Sequence, residues 1–371
     1  MERKPKTICF VTTGDITTIA TAKRALGLAN PLSDSGWIVH IIMEDTAENR
    51  HRAALECDER VRLHFFHSAS ALNERKIKSR LLKKIKPDYV YLCAFVFRNI
   101  VSVNSQCKKL VEHCELRSAI KDVKWWRRSF ELLTEYFSLI YANGILNASI
   151  YLQRLYEKRA SIVLKRRLPM LYFPYAYNKN VCKRSDCQRE LPIRKSEGDI
   201  FITYLGSLSK AYHTLDIVKA MQLIGQTNTK LLLLGGGDNS QRIKTYIKEN
   251  NLDGYVFMPG YIKEEDIQIY FSLTSVFVLP MNNTIQDKAR CPSKLYMYLP
   301  YNKPIVTAKI GEPYEVLKDK GVYYDTGSVK SLSLAIQEAI GMKVLDIPSK
   351  PHEWGERARL FDKWINDIFE C

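Results

Sequence analysis

One short segment of the chain combines two cations, a proline and a hydroxyl side chain. It reads Ala289-Arg290-Cys291-Pro292-Ser293-Lys294-Leu295-Tyr296. Pro292 predicts the start of a helix, because the first turn of a helix does not need the amide hydrogen that proline lacks. The amides of Ser293, Lys294 and Leu295 would then point outward, flanked by Arg290 and Lys294. Such a helix start binds phosphate, so the segment predicts a diphosphate site. The alternative is an ordinary helix cap whose basic side chains are exposed to water.

Two glycine-containing loops could also approach an anion. Gly206-Ser207-Leu208-Ser209-Lys210 follows an apolar run, and Gly235-Gly236-Gly237-Asp238 follows four leucines. Glycine lets backbone amides come close to a ligand, and Lys210 adds a charge. A tight strand–helix turn explains the three consecutive glycines equally well, so these loops alone do not identify a site.

These loops connect elements that alternate between strand and helix in the second half of the chain. Strands are predicted at 199–205, 230–234, 255–258, 275–280 and 304–307. Helices are predicted at 214–224, 240–250, 264–273, 292–299, 328–340 and 353–369. Alternation of this kind indicates a parallel sheet covered by helices.

The first half follows the same pattern. Strands are predicted at 7–13, 37–43, 61–66, 88–97 and 169–175, and helices at 18–30, 72–86, 123–141 and 149–165. Residues 178–198 are polar and contain Pro192, which is typical of a linker. The 371 residues therefore predict an α/β protein of two Rossmann-like domains, with ligands at the carboxyl ends of the strands in a cleft between them.

The charge of the chain lies in one half. The formal net charge is +16, and residues 198–371 contain 20 basic and 20 acidic side chains, so residues 1–197 carry all of it. Residues 60–128 alone have 17 basic and five acidic side chains. A basic half favours an anionic partner such as a membrane surface, a lipid-linked phosphate or nucleic acid; simple solubility is the alternative.

Tryptophans accompany some of these cations in Lys124-Trp125-Trp126-Arg127-Arg128, and Lys83, Lys84 and Lys86 lie near another helix end. This combination suits a bilayer interface. Trp126 follows the helical spacing of Phe130, Leu133, Phe137 and Ile140, so we expect it in the core. Trp125 is off that spacing and is the candidate for lipid contact.

Other features exclude several classes of protein. The longest apolar run, 89–97, is about half the length that spans a bilayer. No hydrophobic signal segment follows the basic N-terminus, so we expect a cytoplasmic protein. The nine cysteines are odd in number and lack metal-site spacing. Only Cys182 and Cys187 form a tempting pair, and we expect two free thiols in a loop and no metal site.

Four stretches together resemble the retaining glycosyltransferases of family 4, which have the GT-B fold of two Rossmann-like domains. They read FITYLGSLSKAYHTLDIVKAM, LLLLGGGD, VFMPGYIKEEDIQIYFSLTSVFVLPMNN and RCPSKLYMYLPYNKPIVTAKIGEPYEVL. The resemblance is clearest over 199–340. It implies an acceptor domain at 1–180, a linker at 181–198 and a donor domain at 199–345. The W-x2-R-A segment that begins at Trp354 resembles a helix that crosses back to the first domain, within 346–371.

The resemblance implies transfer from a nucleotide sugar, linked to UDP or GDP, with retained configuration and without a metal or another cofactor. The implied diphosphate cradle is Gly206, Lys210, Arg290, Ser293 and Lys294. Further donor contacts are implied at Ser207, Gly235, Gly236, Gly260, Tyr261, Pro292 and Leu295. Gly14 and Asp15 would border the acceptor and the donor phosphate, while His113 and Glu115 would face the sugar.

The chain departs from this family at the ribose. Members usually carry two glutamates, where this chain has Ala289 and Met297. A thioether accepts a hydrogen bond only weakly, so the ribose would be held otherwise, through Asp287 or Glu312, or activity is impaired. The arginine expected after Gly206 is Ser207, and Tyr212 stands where a lysine is usual.

The leading hypothesis is a peripheral membrane enzyme that extends a lipid-linked glycan in cell-surface polysaccharide synthesis. Three alternatives stay open. A nucleotide-sugar epimerase of the GT-B type would not need a basic first half. A nucleic-acid-binding or DNA-glucosylating protein is disfavoured because the basic side chains are not interleaved with a known reader motif and the aromatic residues cluster in one helix. A non-catalytic member would fail to bind nucleotide.

Overall fold

The structure is a computed structural model that describes residues 5–17, 19, 21–121, 123–178, 196–225, 228–342, 344–345 and 347–370. Most of the linker predicted at 181–198 lies outside these residues, as do Cys182 and Cys187. The chain forms two compact units. The first comprises residues 1–177, 289–291 and 350–371, and the second comprises 178–288 and 292–349.

The first unit is a seven-stranded parallel sheet in the order β3-β2-β1-β4-β5-β6-β7. Its strands are β1 (Thr7–Val11), β2 (Ile38–Glu44), β3 (Arg62–Phe66), β4 (Tyr89–Leu92), β5 (Lys108–His113), β6 (Gly144–Asn147) and β7 (Met170–Tyr172). Its helices are α1 (Thr21–Asp34), α2 (Ala47–Glu56), α3 (Ala71–Ile85), α4 (Trp125–Tyr141) and α5 (Ile150–Val163). The central strand β1 is apolar and almost fully buried, as expected where helices cover both faces of a parallel sheet.

The second unit is a six-stranded parallel sheet in the order β10-β9-β8-β11-β12-β13. Its strands are β8 (Ile200–Leu205), β9 (Thr229–Leu234), β10 (Val256–Gly260), β11 (Val276–Leu279), β12 (Ile305–Thr307) and β13 (Val322–Tyr323). Its helices are α6 (Thr214–Ile224), α7 (Ser240–Glu249), α8 (Glu264–Leu273), α9 (Ile285–Ala289), α10 (Ser293–Tyr298), α11 (Gly311–Leu317) and α12 (Val329–Gly341); the last residue of α9, Ala289, is grouped with the first unit. The strand order reverses beside β8, so the loop after β8 lies at the switch point where such sheets bind ligands.

The two Rossmann-like α/β sheets confirm the predicted fold class. Helices α6 and α8 match their predicted bounds to the residue. Six elements were not predicted: α2, β5, β6, α9, α11 and β13. The strand predicted at 88–97 ends at Leu92, because the chain there turns toward a 3-10 turn at Phe97–Asn99.

A last helix, α13 (Trp354–Phe369), packs within the first unit. The Trp354 ring lies so close to Gly27 of α1 that any side chain at Gly27 would collide with it. Phe361 is fully buried, and the Trp37 indole nitrogen donates to the Asp362 carboxylate at 2.8 Å. This helix therefore completes the core on one face of the first sheet.

Helix α4 exposes its apolar face and buries polar side chains. Trp126 is 55% exposed and Leu133 69% exposed, whereas Thr134, Glu135 and Ser138 are buried. The expectation that Trp126 lies in the core is therefore wrong. The physical reason is that the buried polar groups have partners: Glu135 accepts from Arg159 and from Ser118, so the polar side of the helix can face inward. Among the described helices, none has the length and apolar content to cross a bilayer.

Candidate active site

The second unit places a lysine against the loop that follows its central strand. The Lys294 ammonium on α10 donates to the Tyr204 hydroxyl at 3.0 Å and lies 4.1 Å from the centre of the Tyr204 ring. The Tyr204 hydroxyl in turn donates to the Ser207 carbonyl at 2.9 Å. A Cβ atom on Gly206 would collide with the Lys294 ammonium. Lys294 and the Gly206-Ser207 turn, which lie far apart in the sequence, are therefore in contact.

Three glycines lie at the carboxyl ends of three neighbouring strands of the second sheet. Gly206, Gly235 and Gly260 follow or close β8, β9 and β10, each with a positive φ. The Gly206 amide donates to the Leu234 carbonyl at 2.8 Å, and the Gly235 amide donates to the Gly260 carbonyl at 2.8 Å. A Cβ atom on Gly235 would collide with the Gly206 carbonyl. The glycines thus keep the carboxyl edge of the sheet free of side chains beside Lys294.

The loops after β8 and β9 are joined by hydrogen bonds. The Leu208 amide donates to the Gly236 carbonyl at 2.9 Å, and the Lys210 amide donates to the Asp238 carboxylate at 3.3 Å. Lys210 belongs to a 3-10 turn with an exposed side chain. The carboxyl ends of β8 and β9 therefore bring together four residues predicted to bind the nucleotide sugar: Gly206, Ser207, Gly235 and Lys294. Three others, Lys210, Gly236 and the exposed Tyr261, lie in adjoining loops.

The helix start predicted at Pro292 differs in detail. Pro292 caps α10 rather than occupying its first turn, and the Leu295 amide donates to the Pro292 carbonyl at 3.0 Å. One of the three amides assigned to a phosphate is thus engaged within the protein. Leu295 itself is fully buried, while Ser293 and Lys294 are partly exposed. Ser293 and Lys294 are therefore the better candidates for ligand contact.

Arg290, predicted beside Lys294, is grouped with the first unit. The residues before and after it in the sequence are hydrogen-bonded to that unit. The Ser149 hydroxyl donates to the Ala289 carbonyl at 2.7 Å, and the Tyr175 amide donates to the Cys291 sulfur at 3.5 Å. Ala289 is fully buried in the first core. Its methyl group offers no hydrogen bond to a ribose.

The two carboxylates considered for the ribose are buried and engaged. Asp287 accepts from the Asn282 backbone amide at 2.6 Å and from the Asn282 side chain at 3.2 Å. Glu312 is 1% exposed and accepts from the Tyr296 hydroxyl at 2.9 Å. Met297 is partly exposed on the same short helix as Lys294. The geometry therefore argues against Asp287 and Glu312 as ribose ligands.

In the first unit, Gly14 and Asp15 lie in the loop after β1. The Asn49 side chain braces this loop, donating to the Gly14 carbonyl at 3.1 Å and accepting from the Ile16 amide at 3.0 Å. Burial raises the pKa of Asp15, but hydrogen bonds from Thr17 and Thr46 outweigh it and hold the pKa below its ordinary value. Asp15 is therefore an anion at neutral pH.

His113 is the last residue of β5, and Glu115 lies two residues further along the chain. The His113 ring is held on both nitrogens, by the Ser138 hydroxyl at 3.0 Å and the Tyr156 hydroxyl at 3.0 Å. Burial, together with nearby Arg159, lowers the pKa of His113 to about 3, so the imidazole is neutral at pH 7. His113 and Glu115 line one pocket of about 20 Å³, roughly the space of one water. A sugar would need this pocket to widen.

The sequence did not predict that tyrosines surround Lys294. Tyr212, like Tyr204, faces the ammonium, with its ring centre 5.5 Å away. No local signal identifies them, because the Lys294 ammonium that both rings face comes from α10, about 90 residues further along the chain. Tyr298 was also missed; its hydroxyl accepts from the Leu205 amide at 3.0 Å.

The chain resembles known proteins in one domain and in its whole fold. Residues 190–361 match the family model of glycosyl transferases group 1. Among curated proteins, none matches this chain.

Three solved structures resemble the whole chain at low sequence identity. Sucrose-phosphate synthase from Thermosynechococcus elongatus has a TM-score of 0.69 at 15% identity, over 98% of this chain and 95% of that one. HepE from Anabaena, solved with UDP and glucose, has a TM-score of 0.73 at 10% identity, over 97% and 99%. A putative UDP-N-acetylglucosamine 2-epimerase from Listeria monocytogenes has a TM-score of 0.68 at 10% identity, over 99% and 97%. The chain therefore has the fold of GT-B glycosyltransferases, and its residues 190–361 are similar to the family of glycosyl transferases group 1.

Proposed function

We propose that the protein transfers a sugar from a nucleotide-sugar donor to a lipid-linked glycan, with retention of the anomeric configuration. The observation that carries the proposal is the contact of Lys294 with the Gly206-Ser207 turn at the carboxyl end of β8. A fixed cation beside a side-chain-free sheet edge suits a diphosphate. HepE was solved with UDP, which supports UDP as the first nucleotide to test.

Lys294 acts in this proposal on the leaving group. The bond between the anomeric carbon and the diphosphate oxygen breaks, and the acceptor oxygen forms its bond on the same face of the sugar. The negative charge that develops on the diphosphate is stabilised by the Lys294 ammonium, which lies beside the side-chain-free Gly206 turn. Because protein cations supply this stabilisation, the proposed reaction needs no metal.

We propose the acceptor and the location from the charge of the first half of the chain. All of the net charge of +16 lies in residues 1–197, which favours an anionic surface. We place the enzyme in the cytoplasm, peripherally associated with the inner face of the cell membrane, where it extends a lipid-linked or oligosaccharide acceptor of a cell-surface polysaccharide. No nucleic-acid partner is proposed.

A thermal-shift comparison of UDP, GDP and ADP tests the donor site. A nucleotide present at about 100 times its dissociation constant stabilises the folded state by about 2.7 kcal/mol, so the correct one raises the melting temperature measurably. The matching nucleotide sugar is then offered with a lipid-linked acceptor, and the anomeric configuration of the product is read by NMR. Release of free UDP without acceptor would favour the epimerase alternative, which the resemblance to the Listeria protein keeps open.

A second candidate is a non-catalytic GT-B protein. The observation in its favour is that Ala289 and Met297 replace the two glutamates usual in the resembling family, while Asp287 and Glu312 are engaged elsewhere. No stabilisation by any of the three nucleotides would favour this candidate and contradict the transferase proposal.

A further inference from the structure

Helix α4 presents an unusual surface to solvent. Its apolar side chains lie one above another on the outer face of the helix, and we call them the apolar stripe: Trp126, Phe130, Leu133, Phe137 and Ile140. Their exposed fractions run from 43% at Phe137 to 69% at Leu133. A contiguous exposed apolar surface on a soluble domain marks an interaction site. Trp125, beside the stripe, is 79% exposed.

The acidic side chains of α4 lie on the opposite side from the stripe and are paired. Glu131 accepts from Arg117 at 3.0 Å, and Glu135 accepts from Arg159 at 2.9 Å. The cations Lys124, Arg127 and Arg128 are exposed at the start of the helix. Helix α4 therefore has an apolar outer face, with three exposed cations around its first turn.

A groove of basic side chains lies on helix α3. Its volume is about 430 Å³, and we call it the basic groove after its four cations: Arg75, Lys76, Arg80 and Lys83. The remaining lining residues are Leu72, Ser79, Ile100 and Ser102, so no acidic side chain lines it. A groove of this charge suits phosphate-bearing headgroups.

Direct contacts join the groove to the stripe. The Arg75 guanidinium donates to the Ile100 carbonyl at 2.8 Å and lies 4.6 Å from the centre of the Phe97 ring. The Phe97 ring centre is 6.2 Å from that of Phe130. The basic groove and the apolar stripe are thus parts of one continuous surface of the first unit.

We infer that this surface docks on an anionic bilayer, with the apolar stripe inserted into the interface and the basic groove on lipid headgroups. An amphipathic helix with aromatic residues on one face and cations beside them lies in the plane of a membrane in this way. A second copy of the chain is a poor occupant, because two surfaces of like charge repel. A nucleic acid would leave the apolar stripe without a partner.

The inference rests on the membrane association proposed above and names the surface that carries it. The test uses the full chain and vesicles of phosphatidylcholine, alone or mixed with an equal part of phosphatidylglycerol. We expect co-sedimentation with the mixed vesicles and little with the neutral ones. Added salt should weaken binding, since the screening length is about 8 Å at physiological ionic strength. Equal binding to neutral and anionic vesicles would overturn the electrostatic part.

Two double variants test the two parts of the surface. Leu133→Ser with Ile140→Ser should lower binding to mixed vesicles by about tenfold or more, because two large apolar side chains no longer insert. Leu334→Ser is the control, since Leu334 is 56% exposed on α12 in the second unit and its loss should leave binding unchanged. Binding of the stripe variant equal to wild type would overturn the inference.

Arg80→Ser with Lys83→Ser should likewise lower binding by about tenfold or more, since each cation near an anionic surface contributes about 1 kcal/mol. Lys244→Ser with Lys248→Ser removes the same charge from the exposed side of α7 and should have little effect. Equal losses in both pairs would show that only net charge matters and would overturn the groove as a site.

Tryptophan fluorescence reports the insertion directly. Trp37, Trp354 and Trp364 are buried, so a blue shift on adding vesicles would come from Trp125 and Trp126. The shift should disappear in Trp125→Phe with Trp126→Phe; a shift that persists there would contradict insertion of α4. Tight binding to duplex DNA with none to vesicles would assign the surface to nucleic acid instead.

Melting temperature and nucleotide binding are measured on every variant, because unchanged values separate a lost surface from a lost fold. If the wild-type protein binds nucleotide but does not bind vesicles, this inference alone is overturned. Vesicle binding without nucleotide binding would leave it standing and overturn the proposed transferase.

Discussion

The ammonium of Lys294 lies 3.0 Å from the hydroxyl of Tyr204 and 4.1 Å from the centre of the same ring. The hydroxyl and the ring together hold a flexible side chain in one orientation beside Gly206. Two residues 90 positions apart in the sequence therefore fix where a cation meets the loop after β8.

Replacing Lys294 by alanine should lower transfer by about 10²–10³-fold, because a fixed donor to developing negative charge is lost. The melting temperature should stay close to that of wild type, since Lys294 is partly exposed. Lys330→Ala, which removes an exposed cation from α12, serves as the control and should leave transfer unchanged. A wild-type rate in Lys294→Ala would remove this loop from the mechanism.

Replacing Met297 by glutamate should tighten nucleotide binding about tenfold, because a carboxylate accepts strong hydrogen bonds from ribose hydroxyls and a thioether does not. Met297 is partly exposed on the same helix as Lys294, which makes room for the change. Isothermal titration with the stabilising nucleotide measures the effect, and Met297→Leu is the apolar control. Weaker binding in the glutamate variant would mean that the ribose lies elsewhere.

The glycine loop after β9 offers a matched pair of stability variants. Gly235 has a φ of +140°, and a Cβ atom there would collide with the Gly206 carbonyl, whereas a Cβ atom on Gly236 meets no atom within 4 Å. Gly235→Ala should therefore destabilise the protein by about 1–3 kcal/mol or more. Gly236→Ala should change stability by less than about 0.5 kcal/mol. Equal melting temperatures for the two variants would contradict the packing described for these loops.

The buried histidines make the fold sensitive to acid. The pKa of His113 is lowered to about 3, so the folded protein keeps this ring neutral where the unfolded chain protonates it below its ordinary pKa of 6.5. The stability is present above pH 6.5 and is lost as the pH falls toward the folded value. At pH 5.5 the loss from one such histidine is about 1.4 kcal/mol.

Urea unfolding at pH 7.5 and pH 5.5 measures this loss. The free energy of unfolding should fall less in His113→Gln than in wild type, by about 1.4 kcal/mol. His40, whose pKa is lowered by burial and by His64 to about 4, should retain its own share of the acid sensitivity. His51→Gln removes an exposed histidine of α2 and is the control. An unchanged difference in His113→Gln would contradict a neutral, buried ring.

The sequence predicts the elements better than it predicts their environment. Helices α6 and α8 were predicted to the residue, because apolar spacing and flanking turn residues mark them clearly. Strand β5 was missed since it begins with two lysines and ends in Glu112 and His113. Both of these are buried only because distant residues bind them: Arg24 donates to Glu112 at 2.6 Å, and Tyr156 meets His113. No local pattern contains those partners.

Helix α4 shows the same limit for the candidate docking surface. Its spacing correctly predicts a helix, but amphipathicity states only that one face is apolar and not which face is buried. That choice depends on Arg117, Arg159 and Ser118, which satisfy the polar face from other elements. At the donor site, Lys294 and Gly206 were each predicted, whereas the Tyr204 contact that joins them required the fold.

The packing of α13 has a consequence for how the protein is made. The first sheet is synthesised early, yet the ring of Trp354 and the buried side of Phe361 that cover it arrive only after the whole second unit. Until residues 354–369 have left the ribosome, Trp37 and its aromatic neighbours lack the helix that packs on them. They then expose apolar surface, which chaperones bind. The first unit, whose synthesis starts first, can thus complete its fold only at the end of synthesis. A premature stop before Trp354 would yield an aggregation-prone chain.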